Sequence, residues 1–271
     1  MLHPTSIQSL IRSVIKNRSL IWQMTKRNVI GKYKGSFFGL LWSFINPLFM
    51  LGIYTFAFSV VFKAKWGLKE EGHIDFALIL FASLTIFNLF GEILKESPLL
   101  IVSQPNFVKK VVFPLEILPV INLMSALIHS SISLCVFLVF FGIAHLSFPI
   151  TILLLPLVVI PLVLISLGVS YILASLGVFF RDIGHFMGHI ITVLLFTSPV
   201  FFSLDKIPEK FRYIMMINPL AYLLEDARSV MIFGKLPNWN VLAAYTLFGF
   251  LLSILGYWLF QKTRKSFADI L

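Results

Sequence analysis

The sequence predicts an all-α integral membrane protein with six transmembrane helices. Hydrophobic side chains make up 58% of its 271 residues and charged ones only 13%, with a mean hydropathy of +0.93. A soluble domain averages about half apolar and a quarter charged. The apolar residues fall in runs of about 20, the length that crosses a bilayer as a helix. Lys and Arg gather at the ends of those runs, as topology signals and anionic headgroups require. The net charge of +10 therefore reads as membrane-flanking charge rather than a nucleic-acid face.

Residues 1–34 form an amphipathic interfacial segment ahead of a transmembrane domain over 35–271. They carry seven basic side chains and no acidic one. Ile7, Leu10, Ile11, Val14 and Ile15 recur at helical spacing behind Ser6, a natural N-cap. Such a helix lies in the interface rather than crossing it. It lacks the continuous apolar core of a secretory signal, although an organellar transit peptide shares its basic, acid-free character. The spans are predicted at about 36–62, 76–94, 115–143, 150–180, 186–202 and 241–260. Pro47 interrupts the first, Pro156 and Pro161 the fourth, and Pro199 the short fifth. With the N-terminal side taken as inside, fourteen of the 22 Lys and Arg residues fall on that side, which puts both termini in the cytoplasm.

Two connections carry structure of their own. Leu99–Pro119 is polar, lies on the cytoplasmic side, and is punctuated by Pro105, Pro114 and Pro119, which hold any helix in it to about two turns. So short a helix is marginal alone, and we read it as a handle on which another protein docks. The connection from Ser203 to Trp239 reads as an outer helical hairpin. Its first helix starts near Pro208 and carries Phe211, Ile214 and Met215. In its second, Asn218 caps, Pro219 follows and Gly234 ends the helix. Leu220, Leu223, Leu224, Ala227 and Met231 make its apolar face, with Glu225, Asp226 and Arg228 on the others.

No phosphate-cradling loop, dinucleotide fingerprint, zinc-protease motif or nucleophile elbow is present, so no catalytic residue is assigned. His185 and His189 have i, i+4 spacing but no third ligand nearby, and no metal is assigned. Ionisable groups within spans are costly. Glu92 is expected to face water at the cytoplasmic mouth, and His129 to be a neutral, hydrogen-bonded group in a helix interface. Cys135, in an apolar run, reads as a buried thiol. Aromatics crowd the first and fifth spans. Packing is their default role, and the sharper reading makes Trp42, Tyr54, Phe196 and Phe201 a path for sugar rings.

Several motifs together resemble one family: KYKGSFFGLLWSFINPL (Lys32–Leu48), VVFPLEILP (Val111–Pro119), FFRDI (Phe179–Ile183), INPLAYLLEDAR (Ile217–Arg228) and the ending KSFADIL. They are similar to the ABC-2-type permeases of polysaccharide exporters, which include O-antigen, group 2 capsule and teichoic-acid exporters. The resemblance implies a homodimer in the bacterial cytoplasmic membrane, with two copies of a cytoplasmic ATPase subunit that binds ATP and Mg; this chain itself would hold no cofactor. It implies that Gln104, Pro105, Asn106, Phe107, Lys109 and Lys110 form a cytoplasmic coupling helix. Gly35, Ser36 and Gly39 would lie at a cytoplasmic gate. Pro219, Tyr222, Glu225, Asp226 and Arg228 would belong to an outer gate. The cargo would be a lipid-linked polysaccharide, most readily O-antigen. Rival readings are an ABC-2 exporter of a drug or small lipid, or an ion-coupled carrier or scramblase, for which no charged relay or internal repeat is found.

Overall fold

Every regular element among the residues described by the computed structural model (6–62, 66, 73–109, 113–204, 208 and 218–271) is helical. Five helices are long and apolar enough to cross a membrane: Gly39–Phe58, Asp75–Glu96, Leu115–His145, Ile150–Phe179 and Trp239–Ile270. At the predicted fifth span stands a shorter apolar helix, Ile183–Thr197, of 15 residues. At 1.5 Å per residue it is about 22 Å long, less than the roughly 30 Å of a hydrocarbon core.

The interfacial segment is two helices, α1 (Ile7–Lys16) and α2 (Arg18–Gly31), where one apolar stripe had suggested continuity. Ser6 caps α1 as predicted, its hydroxyl accepting the Ser9 N–H. Asn17 breaks the run, its side-chain amide donating to the Ser13 carbonyl at 2.8 Å. Leu10, Ile21 and Met24 turn inward against a cluster that includes Ile121, Tyr257 and Phe260.

The first span enters through a 3-10 turn, continues as α3 (Trp42–Tyr54) around Pro47, and finishes as a π-helix over Thr55–Val61. Only 11% of it is buried. The second, α4 (His73–Glu96), is its opposite: 89% of it is buried. A helix that is apolar on every side satisfies itself in the middle of a bundle, and α4 contacts the first span and four further helices. Two short helices follow, α5 (Leu99–Val102) and α6 (Pro105–Lys109). Then come α7 (Leu118–His145), α8 (Leu155–Phe179), α9 (Ile183–Thr197), α10 (Leu220–Met231), α11 (Trp239–Thr263) and α12 (Phe267–Ile270).

α8 and α11 approach closely enough for backbone to meet backbone. A side chain at Gly256 would overlap the Gly168 carbonyl, and one at Gly168 would come within 2.7 Å of the Leu252 carbonyl. The Ser253 hydroxyl donates across the same seam to the Leu164 carbonyl at 2.7 Å. Small residues with a hydroxyl between them are how helices pack where solvent gives no hydrophobic drive. α1 and α12 both pack on this helix pair: Ser9 lies 3.0 Å from the Tyr257 hydroxyl, and Phe267 is fully buried against Phe179 and Phe260. α1, α2, α5, α6 and α12 thus share one end of the bundle, the terminal end. α10 lies at the far end, where Thr151 donates to the Val230 carbonyl.

Within the hairpin, α10 follows its prediction closely. Asn218 accepts the Leu220 N–H at 3.0 Å, Gly234 takes a positive φ of 65° just beyond the helix, and the five named apolar residues are buried. The expected first hairpin helix, with Phe211, Ile214 and Met215, lies outside the described residues. Two expectations fail. Cys135 is exposed on the bundle surface rather than buried, because the middle of a span is not the middle of the protein. Arg228 is 1% exposed rather than on a polar face.

Candidate docking segment, gate and transport path

Between the second and third spans the chain makes two single turns. Phe107 of α6 stacks on Phe113 with ring centres 4.3 Å apart, and Ile101 of α5 is fully buried. The Pro98 carbonyl fits against Gly177 of α8, where any side chain would overlap it. Pro105, Asn106 and Lys109 are left exposed and Gln104 half-buried. Lys110 lies outside the described residues. The segment therefore has an anchored apolar side and a free polar side.

Glu116 joins that segment to both ends of the chain. One carboxylate oxygen accepts the Ser13 hydroxyl of α1 at 2.8 Å, and the other accepts the Arg264 guanidinium at 2.6 Å. Arg264 also donates to the Phe113 carbonyl at 3.1 Å, and the Tyr171 hydroxyl of α8 donates to the Glu116 carbonyl at 2.7 Å. Charge-assisted bonds in a half-dry site are the stronger kind. Glu116 thereby links α1, α8 and the residue that follows α11.

At the base of the first span Gly35 and Gly39 have positive φ of 89° and 50°, a conformation that costs side-chain-bearing residues. Ser36 closes the turn that contains Gly35 by donating to the Tyr33 carbonyl at 2.9 Å. Immediately before this turn, Lys32 donates to Glu92 at 2.8 Å, and the same Glu92 oxygen lies 2.7 Å from His129 Nδ1. Glu92, on the second span, thus ties the end of α2 to the third span. A cavity of about 250 Å³ sits beside the triad, with Tyr54, Asn88, Thr85 and Ser133 among its walls. Glu92 is partly exposed, and His129 is hydrogen-bonded, as expected. That they bond each other was not read from sequence, since they are 37 residues apart.

The far end is organised on Arg228. Its guanidinium donates to the Pro199 carbonyl beyond α9, to the Ser83 hydroxyl of α4 at 3.4 Å and to Glu225 at 3.0 Å. It also lies over the Trp66 ring, 4.6 Å from its centre, a favourable placement for a desolvated cation. Burial pushes the guanidinium below its usual pKa, while Glu225 opposes that. Asp226, in contrast, is held above the ordinary carboxylate range, first by burial and then by adjacent Glu225; the Asn238 N–H works the other way.

The profile of the ABC-2 type transporter family matches residues 19–232. The chain belongs to that family. It is 30% identical to the O-antigen export system permease protein RfbA of Klebsiella pneumoniae, over 93% of this chain and 95% of that protein. Its identity to the RfbA of Myxococcus xanthus is 28%, over 96% and 98%. With the polysialic acid transport protein KpsM of Escherichia coli it shares 26%, over 82% and 84%.

The predicted site residues of this ABC-2 transporter do not form one group. Tyr54 lines the cavity beside Glu92, whereas Trp42 packs edge-on against Phe38 at 5.6 Å. Phe196 is exposed and stacks on Phe201, which in turn meets Phe58 of the first span at 6.3 Å. That aromatic series runs on through Phe76 to Trp66, and so to Arg228. Pro219 is half-buried in the N-terminal turn of α10, and Tyr222 faces Tyr245 of α11 at 5.9 Å. Sequence reasoning missed Arg264 and Ser13 as partners of Glu116, and Ser83 and Pro199 as partners of Arg228. Lone ionisable groups in apolar runs signalled that partners must exist, but not which.

Proposed function

We propose that this chain is the membrane-spanning subunit of an ATP-driven exporter of a lipid-linked polysaccharide, with O-antigen as the favoured cargo. The observation that carries this reading is near end-to-end similarity to permeases named for O-antigen export. A capsular polymer is the second reading, favoured by the likeness to KpsM. The subunit works as a homodimer in the bacterial cytoplasmic membrane, with both termini in the cytoplasm and six crossings, α9 being the short fifth. Two copies of a separate ATPase supply ATP and Mg.

Each ATPase docks on the exposed side of α6, at Pro105, Asn106 and Lys109 with Gln104 and Lys110 beside them. Phe107 holds α6 to the bundle rather than meeting the partner, as its stack on Phe113 supports. Closure of the ATPase moves α5 and α6, and Glu116 passes the movement to α1, α8 and α11. Movement of the first span about Gly35, Ser36 and Gly39 opens the inner gate. Displacement of α10, through Pro219, Tyr222, Glu225, Asp226 and Arg228, opens the outer one. Sugar rings pass Trp42, Tyr54, Phe196 and Phe201 as the two copies part.

The test is co-purification of the complex followed by mass analysis of the glycolipid it retains. A retained lipid-linked polymer with O-antigen repeats is expected, and a drug-sized or unglycosylated ligand would overturn the reading. For the docking role, Asn106→Arg with Lys109→Glu should dissociate the ATPase while the permease stays folded. Unchanged assembly and export would remove α6 from the mechanism.

A further inference from the structure

A polar cavity of about 580 Å³ opens at the terminal end, between α1, the Phe113–Glu116 turn and the last turns of α11. None of the roles proposed above uses it. Arg12 and Lys16, one helical turn apart, line it. Among the described residues neither has a carboxylate within ion-pair distance. Glu116 borders the same cavity, but Ser13 and Arg264 take its two oxygens.

Two exposed cations alone would be a solvated face. Two further features set this place apart. Gln261, 4% exposed, also lines the cavity; its amide nitrogen donates to the Tyr257 hydroxyl at 2.7 Å, and its Oε1 has no partner. A buried acceptor without a donor is costly, so a donor bound there is favoured. An apolar shelf also adjoins the cations: on the open face of α1, Arg12 and Lys16 stand beside Ile11 and Ile15. Those isoleucines are 53% and 62% exposed. Positive charge, a hydroxyl acceptor and hydrocarbon thus occur side by side.

We propose that the cavity and the adjoining face of α1 form a site for an anionic glycerophospholipid of the phosphatidylglycerol type. Its phosphodiester sits between Arg12 and Lys16, a glycerol hydroxyl donates to Gln261 Oε1, and an acyl chain lies along Ile11 and Ile15. An acidic protein surface would match the cations but leave the shelf and the acceptor unused. A bound lipid here would seat α1 on the bundle beside Glu116.

The test uses the whole permease, without ATPase or cargo, delipidated in neutral detergent and followed by native mass spectrometry. It is titrated with short-chain phosphatidylglycerol, phosphatidylcholine, glycerol 3-phosphate and inorganic phosphate. Phosphatidylglycerol should bind at least tenfold more tightly than phosphatidylcholine. Arg12→Ala with Lys16→Ala should weaken it by about tenfold or more, as expected for two basic residues at a membrane surface. Arg12→Lys with Lys16→Arg should retain it, and Ile11→Gln with Ile15→Gln should weaken the lipid without changing glycerol 3-phosphate binding. Melting curves matching the wild type would exclude misfolding as the cause. Equal binding of the two lipids, or wild-type affinity in the double alanine variant, would overturn the site. Displacement of the lipid by an equal concentration of either soluble phosphate would make it a soluble-anion site. In a separate co-purification with the ATPase, a double alanine variant that binds lipid normally but no longer holds the ATPase would overturn the lipid site in favour of a protein-docking surface.

Discussion

The seam between α8 and α11 and the surface of the first span are built on opposite plans. In the seam, glycines bring two backbones together and Ser253 bonds across it. The first span has little of its surface buried, interrupts itself with Pro47 and a π-helix, and presents Phe49, Phe56 and Phe62 outward. Its firmest polar tie is at its base, through Lys32 to Glu92. One part closes on itself, and the other packs along one side through residues such as Leu51 and Phe58. The contrast separates a seam closed within the single chain from a helix that leaves most of its surface outside it.

The largest effect should come from filling the seam. Gly256→Leu is expected to cost about 3 kcal/mol or more by forcing the helices apart, read as lost monodispersity and a collapsed melting transition in detergent. If it melts like wild type, the seam is not where the stability lies. Arg228→Leu strands the Pro199 carbonyl and half-exposed Glu225, and should lower stability by about 2 kcal/mol. Glu116→Gln keeps the shape but weakens the charge-assisted bonds, costing about 1 kcal/mol. Its signature is faster hydrogen exchange in residues 7–16 with α8 unchanged.

A pH experiment probes the far end. Because burial raises the Asp226 pKa in the fold, its contribution favours folding fully below about 3.8 and is lost as pH rises through the higher folded value. Asp226→Asn should therefore flatten the stability profile above pH 4 and raise the melting temperature at neutral pH. Unchanged pH dependence would clear Asp226. The smallest effect belongs to the first span. Phe56→Ala, at an exposed position, should change subunit stability by less than about 0.5 kcal/mol. A large loss would mean that this face does structural work within the single chain.

How much of this was legible in the sequence depends on the range of the interaction. Helix positions, the Ser6 cap, the ends of α10 and the two-turn limit on α5 and α6 follow from local rules of capping, proline and apolar periodicity, and they held. The break at Asn17 did not show, because its polar side chain fits a solvent-facing helix position as readily as a break. Pairings such as Glu92 with His129, or Glu116 with Arg264, depend on which helix lies beside which, and an apolar run says nothing about its neighbours. Arg228 was misjudged for a related reason. On a helical wheel it belongs to the polar side of α10, but α4 and the Pro199 turn cover that side and supply the acceptors.

The seam between α8 and α11 also bears on biosynthesis. Its two halves are residues 155–179 and 239–263, so synthesis of the second begins about 60 residues after the first is complete. Translation proceeds at roughly 5–20 residues per second. For several seconds, then, α8 stands in the bilayer with Gly168 and the Leu164 carbonyl uncovered, and this close backbone junction is among the last to form. Chains stalled in that interval are the ones a membrane quality-control protease should find.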